Sequence, residues 1–145
     1  MKLNTTIVTL LIALVCAVHV ECKEDKQPAF KSLTIASSQQ LYDLYESNPD
    51  TIYLTAFYIQ GNKHEEVLEQ VETSLWSKKD IFKSVVYIPI DASDDYQFYG
   101  ILYDLGILYE SHEEYPFFLV IKDEEGQLVK GPKSAEIIKK NILEI

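Results

Sequence analysis

Hydrophobic and polar positions along this chain change period repeatedly, and each change marks an element. Thr51 to Ile59 (TIYLTAFYI) is a run of β-branched and aromatic residues without Gly or Pro, the pattern of a strand buried on both faces. It stops at Gln60-Gly61-Asn62, a turn signal, and the period then becomes helical. Val67, Leu68, Val71, Leu75 and Trp76 recur at three- and four-residue spacing, with Glu65, Glu66, Glu69 and Glu72 between them. That spacing predicts an amphipathic helix with carboxylates near its electropositive start. Upstream, Ser32 to Ala36 is a short strand candidate. Ser37 and Gln40 have capping-box spacing ahead of Leu41, Leu44 and Tyr45, and Asn48-Pro49-Asp50 stops the helix they open.

Downstream, Ser84 to Ala92 (SVVYIPIDA) predicts a strand, with Pro89 pointing to an edge position or a bulge. Asp94 is placed to cap a helix with Tyr96, Tyr99 and Tyr103 on one face and Phe98, Leu102 and Leu105 on another, closed by Gly106. Ile107 to Tyr115 reads as a loop, Phe117 to Ile121 as a buried strand, and Asp123-Glu124-Glu125-Gly126 as a hairpin turn returning through Gln127 to Lys130. After Gly131-Pro132, Ser134 is placed to cap a last helix with Ala135, Ile138, Ile142 and Ile145 on one face. Strands and helices alternate, so residues 32–145 predict one α/β domain, preceded by a charged, Pro28-bearing linker over residues 23–31.

The first 22 residues follow another pattern. Ile7 to Val20 is a continuous apolar run broken only by Thr9 and His19, behind the single charge of Lys2. Its length suits a signal peptide, and small residues near Ala17 and Cys22 stand at plausible cleavage positions. Counted from Leu3 the run is about 18 residues, or about 27 Å of helix, enough for an anchor in a thin bilayer. The expectation adopted is the anchor. Lys2 on one side and an acidic domain on the other then place the domain on the non-cytoplasmic side, in an endomembrane lumen or a mitochondrial intermembrane space. Cleavage would instead give a secreted or endoplasmic-reticulum-lumenal protein.

Charge narrows the partners. A net charge of −10 argues against nucleic acid, whose affinity comes from neutralising phosphates. All 13 basic residues are Lys, so the bidentate fork favoured for phosphate is missing. Cys16 and Cys22 are the only cysteines, which leaves the predicted domain without a disulfide, a dithiol or a thiolate metal site. No Ser or Thr nucleophile paired with a His base and no general acid/base carboxylate pair can be identified, so no catalytic residue is assigned. Tyr96, Tyr99, Tyr103 and Tyr109 are candidates for an aromatic contact surface, against the plainer reading of a helix packed on the sheet with hydroxyls at its rim.

The order of elements resembles the thioredoxin family, over about Leu33 to Ile145. Three stretches carry it: Thr55-Ala56-Phe57-Tyr58-Ile59-Gln60-Gly61-Asn62-Lys63-His64-Glu65-Glu66, Val85 to Ser93 with the helix ending at Leu105-Gly106-Ile107, and Tyr115-Pro116 running into Asp123-Glu124-Glu125-Gly126. The resemblance implies a three-layer α/β/α fold with a mixed central sheet and a cis bond at Tyr115-Pro116. It does not imply redox chemistry, because Gly61 and His64 fall at the family's two cysteine positions and Thr55 where the family often has a buried acid. The loop from Leu108 to Glu114 is longer than usual.

Stripped of thiols, the family's active-site face becomes a partner-binding face. It comprises Gly61, Asn62, Lys63, His64, Tyr115 and Pro116, with the Tyr115 backbone placed to pair with an extended peptide. The implied role is a non-catalytic accessory subunit, binding other protein subunits and reaching a membrane through its N-terminal helix. The alternative is a soluble client-binding relative of the disulfide isomerases. The resemblance also implies that the two loops bearing His64-Glu65-Glu66 and His112-Glu113-Glu114 face each other. Two imidazoles among carboxylates suit a transition metal, which makes His64 and His112 metal candidates. The plainer reading is that acidic helix starts and loops are common in so acidic a chain, and no cofactor is expected.

Overall fold

A computed structural model describes residues 31–77, 84–93 and 95–143. The expected N-terminal helix, most of the linker, Asp94 and Ile145 lie outside the described residues. Among those residues the chain order is β1 (Lys31–Ser32), α1 (Ser38–Ser47), β2 (Ile52–Tyr58), α2 (Glu65–Ser77), β3 (Val85–Asp91), α3 (Asp95–Asp104), β4 (Phe117–Lys122), β5 (Glu125–Lys130) and α4 (Ser134–Leu143). A single turn of 3-10 helix, His112–Glu114, precedes β4.

The strands form one mixed sheet in the order β1-β3-β2-β4-β5. β1, β3 and β2 run parallel, whereas β4 is antiparallel to β2 and β5 to β4. β2 lies at the centre, as its unbroken apolar run predicts. Its side chains alternate between the two faces with the strand period of two. Leu54 and Ala56 join Val71, Leu75, Ile138 and Ile142 under α2 and α4. Tyr53 and Phe57 join Leu41, Phe98 and Leu102 under α1 and α3. Phe57, Leu54, Leu75 and Ile138 are all essentially solvent-free, and burial of such a side chain is worth about 1.5–3 kcal/mol.

Several local signals act as the sequence predicts. The Ser37 hydroxyl accepts from the Gln40 amide and opens α1, while the Gln40 side chain reaches back to the Ala36 amide at 2.8 Å. Gly106, at φ +70, closes α3; its amide donates to the Tyr103 carbonyl and that of Ile107 to Leu102, a Schellman pair. α1 and α3 approach closely at Gly100, where an added Cβ would meet Ser38 at 3.4 Å. The Ser38 hydroxyl there donates to the Gln97 carbonyl and accepts from the Ile101 amide, two groups that a helix ordinarily joins directly. The Tyr115-Pro116 bond is cis.

Three elements differ from expectation. β1 ends at Ser32 rather than running to Ala36, because after one further bond, from the Leu33 amide to the Tyr87 carbonyl, the chain turns away to cap α1. The hairpin turn is the two residues Asp123 and Glu124, at φ 52 and 65, with Gly126 inside β5 opposite Ile121. Two successive positive φ values make a type I′ turn, which matches strand twist. Ser134 is the first residue of α4, fully buried, and its hydroxyl donates to the Gly131 carbonyl at 2.6 Å.

Pro89 sits within β3, opposite Ala56 of β2. The Tyr87 carbonyl points to the β1 side, so two residues on Pro89 faces the same way, beyond the end of β1. There its missing N–H leaves no gap in the ladder.

Candidate functional site

The loops after β2 and before β4 meet at one end of the sheet. Gly61, at φ +74, lets the chain reverse after β2, and the Asn62 amide donates to the Ile59 carbonyl. The Asn62 carboxamide then works in two directions. Its oxygen accepts from the His64 amide at 2.8 Å, ordering the entry to α2, and its nitrogen donates to the His112 carbonyl across the gap. Beside it, the Lys63 ammonium meets the Glu113 carboxylate at 2.6 Å. That hydrogen bond, followed by the lysine's charge, holds the Glu113 carboxyl below its usual range. On the far side Lys130 pairs with Glu114 at 3.2 Å and lies 5.4 Å above the Phe117 ring.

Together these contacts leave a groove of about 320 Å³, floored by Val67 and Pro116 and rimmed by His64, Lys130 and Pro132. Of the sequence-derived face, Asn62, Lys63, His64 and Pro116 come together here. Tyr115 lines the same groove beside Pro116, with its phenol turned inward. Its side chain is 3% exposed, its ring meets Phe117 edge-on at 4.9 Å, and its hydroxyl donates to the Ile107 carbonyl at 3.3 Å. Lys130, Gly131 and Pro132 were not singled out by sequence reasoning; the Gly-Pro punctuation after β5 was the available signal.

The two His-Glu-Glu groups do meet, but through Asn62, Lys63 and the carbonyl of His112. Among the described residues no three His, Cys, Asp or Glu side chains converge to hold a metal ion, and the carboxylates of Glu113 and Glu114 are turned to lysines. Thr55, where the resemblance places an acid, is fully buried, and its hydroxyl is 2.6 Å from that of Tyr45 on α1. Burial pushes the Tyr45 phenol well above its ordinary value.

A second surface lies over α3. Tyr96, Tyr99, Tyr103 and Tyr109 are 87%, 50%, 58% and 81% exposed. The Tyr99 and Tyr103 rings stack at 6.1 Å, and the Tyr99 and Tyr109 hydroxyls stand 3.5 Å apart. These rings face solvent while Phe98, Ile101 and Leu102 face the sheet, as the helical spacing predicts.

No protein-family model and no curated protein sequence matches the chain. Solved structures do. Thioredoxin from Fasciola hepatica superposes with a TM-score of 0.57 at 18% identity, covering 77% of this chain and 96% of that one. Schistosoma mansoni thioredoxin gives 0.59 at 13%, covering 81% and 98%. A thioredoxin from Nicotiana alata gives 0.58 at 17%, covering 81% and 94%. The chain has a thioredoxin-like α/β fold. Neither of the two loops that meet at this end of the sheet carries a thiol, since the sequence has no cysteine beyond Cys22. No helix of the described residues is long and apolar enough to cross a membrane, and the apolar run from Leu3 to Val20 lies outside them.

Proposed function

We propose that this chain is a redox-inactive, thioredoxin-like binding domain, an accessory subunit held to a membrane complex by residues 3–20. The observation that carries it is the state of the two loops. Where dithiol chemistry would need two thiolates, Gly61 and His64 stand, and the loops are tied to each other by Asn62–His112 and Lys63–Glu113. Thiolates are the nucleophiles of disulfide exchange, so without them the site retains recognition but no exchange. The groove over Val67 and Pro116, rimmed by charges of both signs, suits a polypeptide better than a small apolar ligand.

Two measurements test this. With Cys16 and Cys22 replaced by Ser, the chain should not accelerate reduction of insulin by dithiothreitol; any acceleration would overturn the redox-inactive reading. The chain isolated from its native source should retain the apolar run from Leu3 to Val20, sediment with membranes and cross-link to other subunits. A mass lacking about the first 20 residues, in a soluble fraction, would replace the membrane role with client binding in a lumen.

A further inference from the structure

Lysines are unevenly distributed along this chain. No lysine lies between Ser32 and Asn62 or between Ser84 and Ile121, and the chain has no arginine. α1, α3 and the loop after α3 therefore carry no lysine; on the opposite layer α2 is acidic too, and α4 bears Lys139 and Lys140. The exposed tyrosines lie on the surface that these lysine-free elements form. Asp104 stands within it, hydrogen-bonded by the Tyr42 phenol at 2.5 Å, and Glu110 follows Tyr109 and is exposed. An ordinary solvent-facing helix surface mixes both signs of charge; among the described residues, α1, α3 and the loop after α3 frame these aromatic faces with carboxylates and no lysine.

We propose that the α3 face docks a Lys- or Arg-rich segment of a partner protein. This rests on the reading of the chain as a binding domain and adds the chemistry of what is bound. A guanidinium or ammonium lies favourably over a tyrosine face within about 6 Å of the ring centroid, and the flanking carboxylates supply the countercharge. Stacked Tyr99 and Tyr103 offer an extended platform, and Tyr96, one helical turn before Tyr99, lengthens it. The same field excludes other occupants. Nucleic acid and anionic lipid are repelled, and a second copy would oppose two surfaces of like sign.

The test uses the full-length chain in a neutral detergent and a fluorescein-labelled octa-arginine peptide, titrated by anisotropy at two salt concentrations. The expected result is saturable binding, weaker at high salt. Tyr96→Gln/Tyr99→Gln/Tyr109→Gln should reduce affinity about tenfold. Glu66→Gln/Glu69→Gln/Glu136→Gln on the opposite layer should change it by less than about threefold. Should the triple tyrosine variant fold poorly by circular dichroism, Glu110→Gln alone should still weaken binding. Equal losses from both layers, or none from the tyrosines, would mean only general attraction to an acidic protein and would overturn the proposal. So would sedimentation showing a dimer that the tyrosine variant dissolves, which assigns the face to a second copy. Native cross-links at Lys63 or Lys130 with no effect of the tyrosine variants would overturn this inference while leaving the binding-domain reading intact.

Discussion

The bond between Tyr45 and Thr55 ties α1 to the central strand, and its worth can be worked from its surroundings. Thr55 is fully buried between Ile88 of β3 and Leu119 of β4, with its hydroxyl 2.6 Å from that of Tyr45. Thr55→Val keeps the shape and removes the partner, leaving the Tyr45 hydroxyl without this bond in an apolar surround. An unsatisfied buried hydroxyl costs about 1–3 kcal/mol, and the lower half applies because Tyr45 is only partly buried. Tyr45→Phe leaves a threonine hydroxyl in the same position and should cost about 1 kcal/mol. The double variant removes both polar groups, so its cost should fall short of the sum by about 1 kcal/mol. Urea unfolding of the four proteins, followed by circular dichroism, measures this. Each kilocalorie should move the thermal midpoint by about 4–6 °C in a domain of this size. Costs that add to within about 0.3 kcal/mol would refute the reasoning, since independent sites add and a shared bond does not. Thr55→Asp should be far worse at neutral pH, because the site offers a carboxylate burial and a phenol but no positive charge.

Other perturbations probe the remaining elements. Asn62→Ala removes both bonds of the carboxamide and should cost about 1–2 kcal/mol, while amide hydrogen exchange quickens in residues 112–114; unchanged exchange there would show that the loops hold without it. Gly106→Ala places a Cβ on a residue at φ +70 and should destabilise by about 1 kcal/mol in the same unfolding assay. Burial raises the phenols of Tyr45 and Tyr87 above their ordinary value, Tyr87 further by its hydrogen bond to Glu72. Their contribution is fully present below the unfolded value of about 10 and is lost as pH rises beyond it. The urea midpoint should therefore hold level from about pH 7 to 9 and fall above about 10; a level midpoint at about pH 11 would contradict the burial.

Three signals act where they stand in the sequence, because the physics behind them is local. Ser37 with Gln40, Gly106, and the two-faced pattern of α3 each depend on residues within one helical turn or so, and each is found in place. Asp123-Glu124 shows where that approach slips. Gly126 drew the turn toward itself, but the turn needed two positive φ values in succession, and two acidic residues adopt them while Gly126 packs over Leu119 in β5. Contacts fifty residues apart, Asn62 to His112 and Lys63 to Glu113, have no sequence signature. The resemblance placed those loops opposite each other, and only the coordinates show that amide and ammonium groups join them. The Tyr115 side chain shows a different limit of local pattern. Its position beside the cis-proline was right, but whether a phenol points outward or into the core is decided by the space between Phe117 and Ile107, which no local pattern reports.

Pro89 bears on how this domain keeps to itself. A sheet that accepts new strands at both margins can chain copies end to end into a filament. Among the described residues β1 comprises Lys31 and Ser32, and beyond it Pro89 offers no amide to an arriving backbone. The outer margin of β5 carries Lys130 and Glu125, which add charge. The missing Pro89 amide denies a copy arriving beside it one of the bonds by which it would continue the sheet.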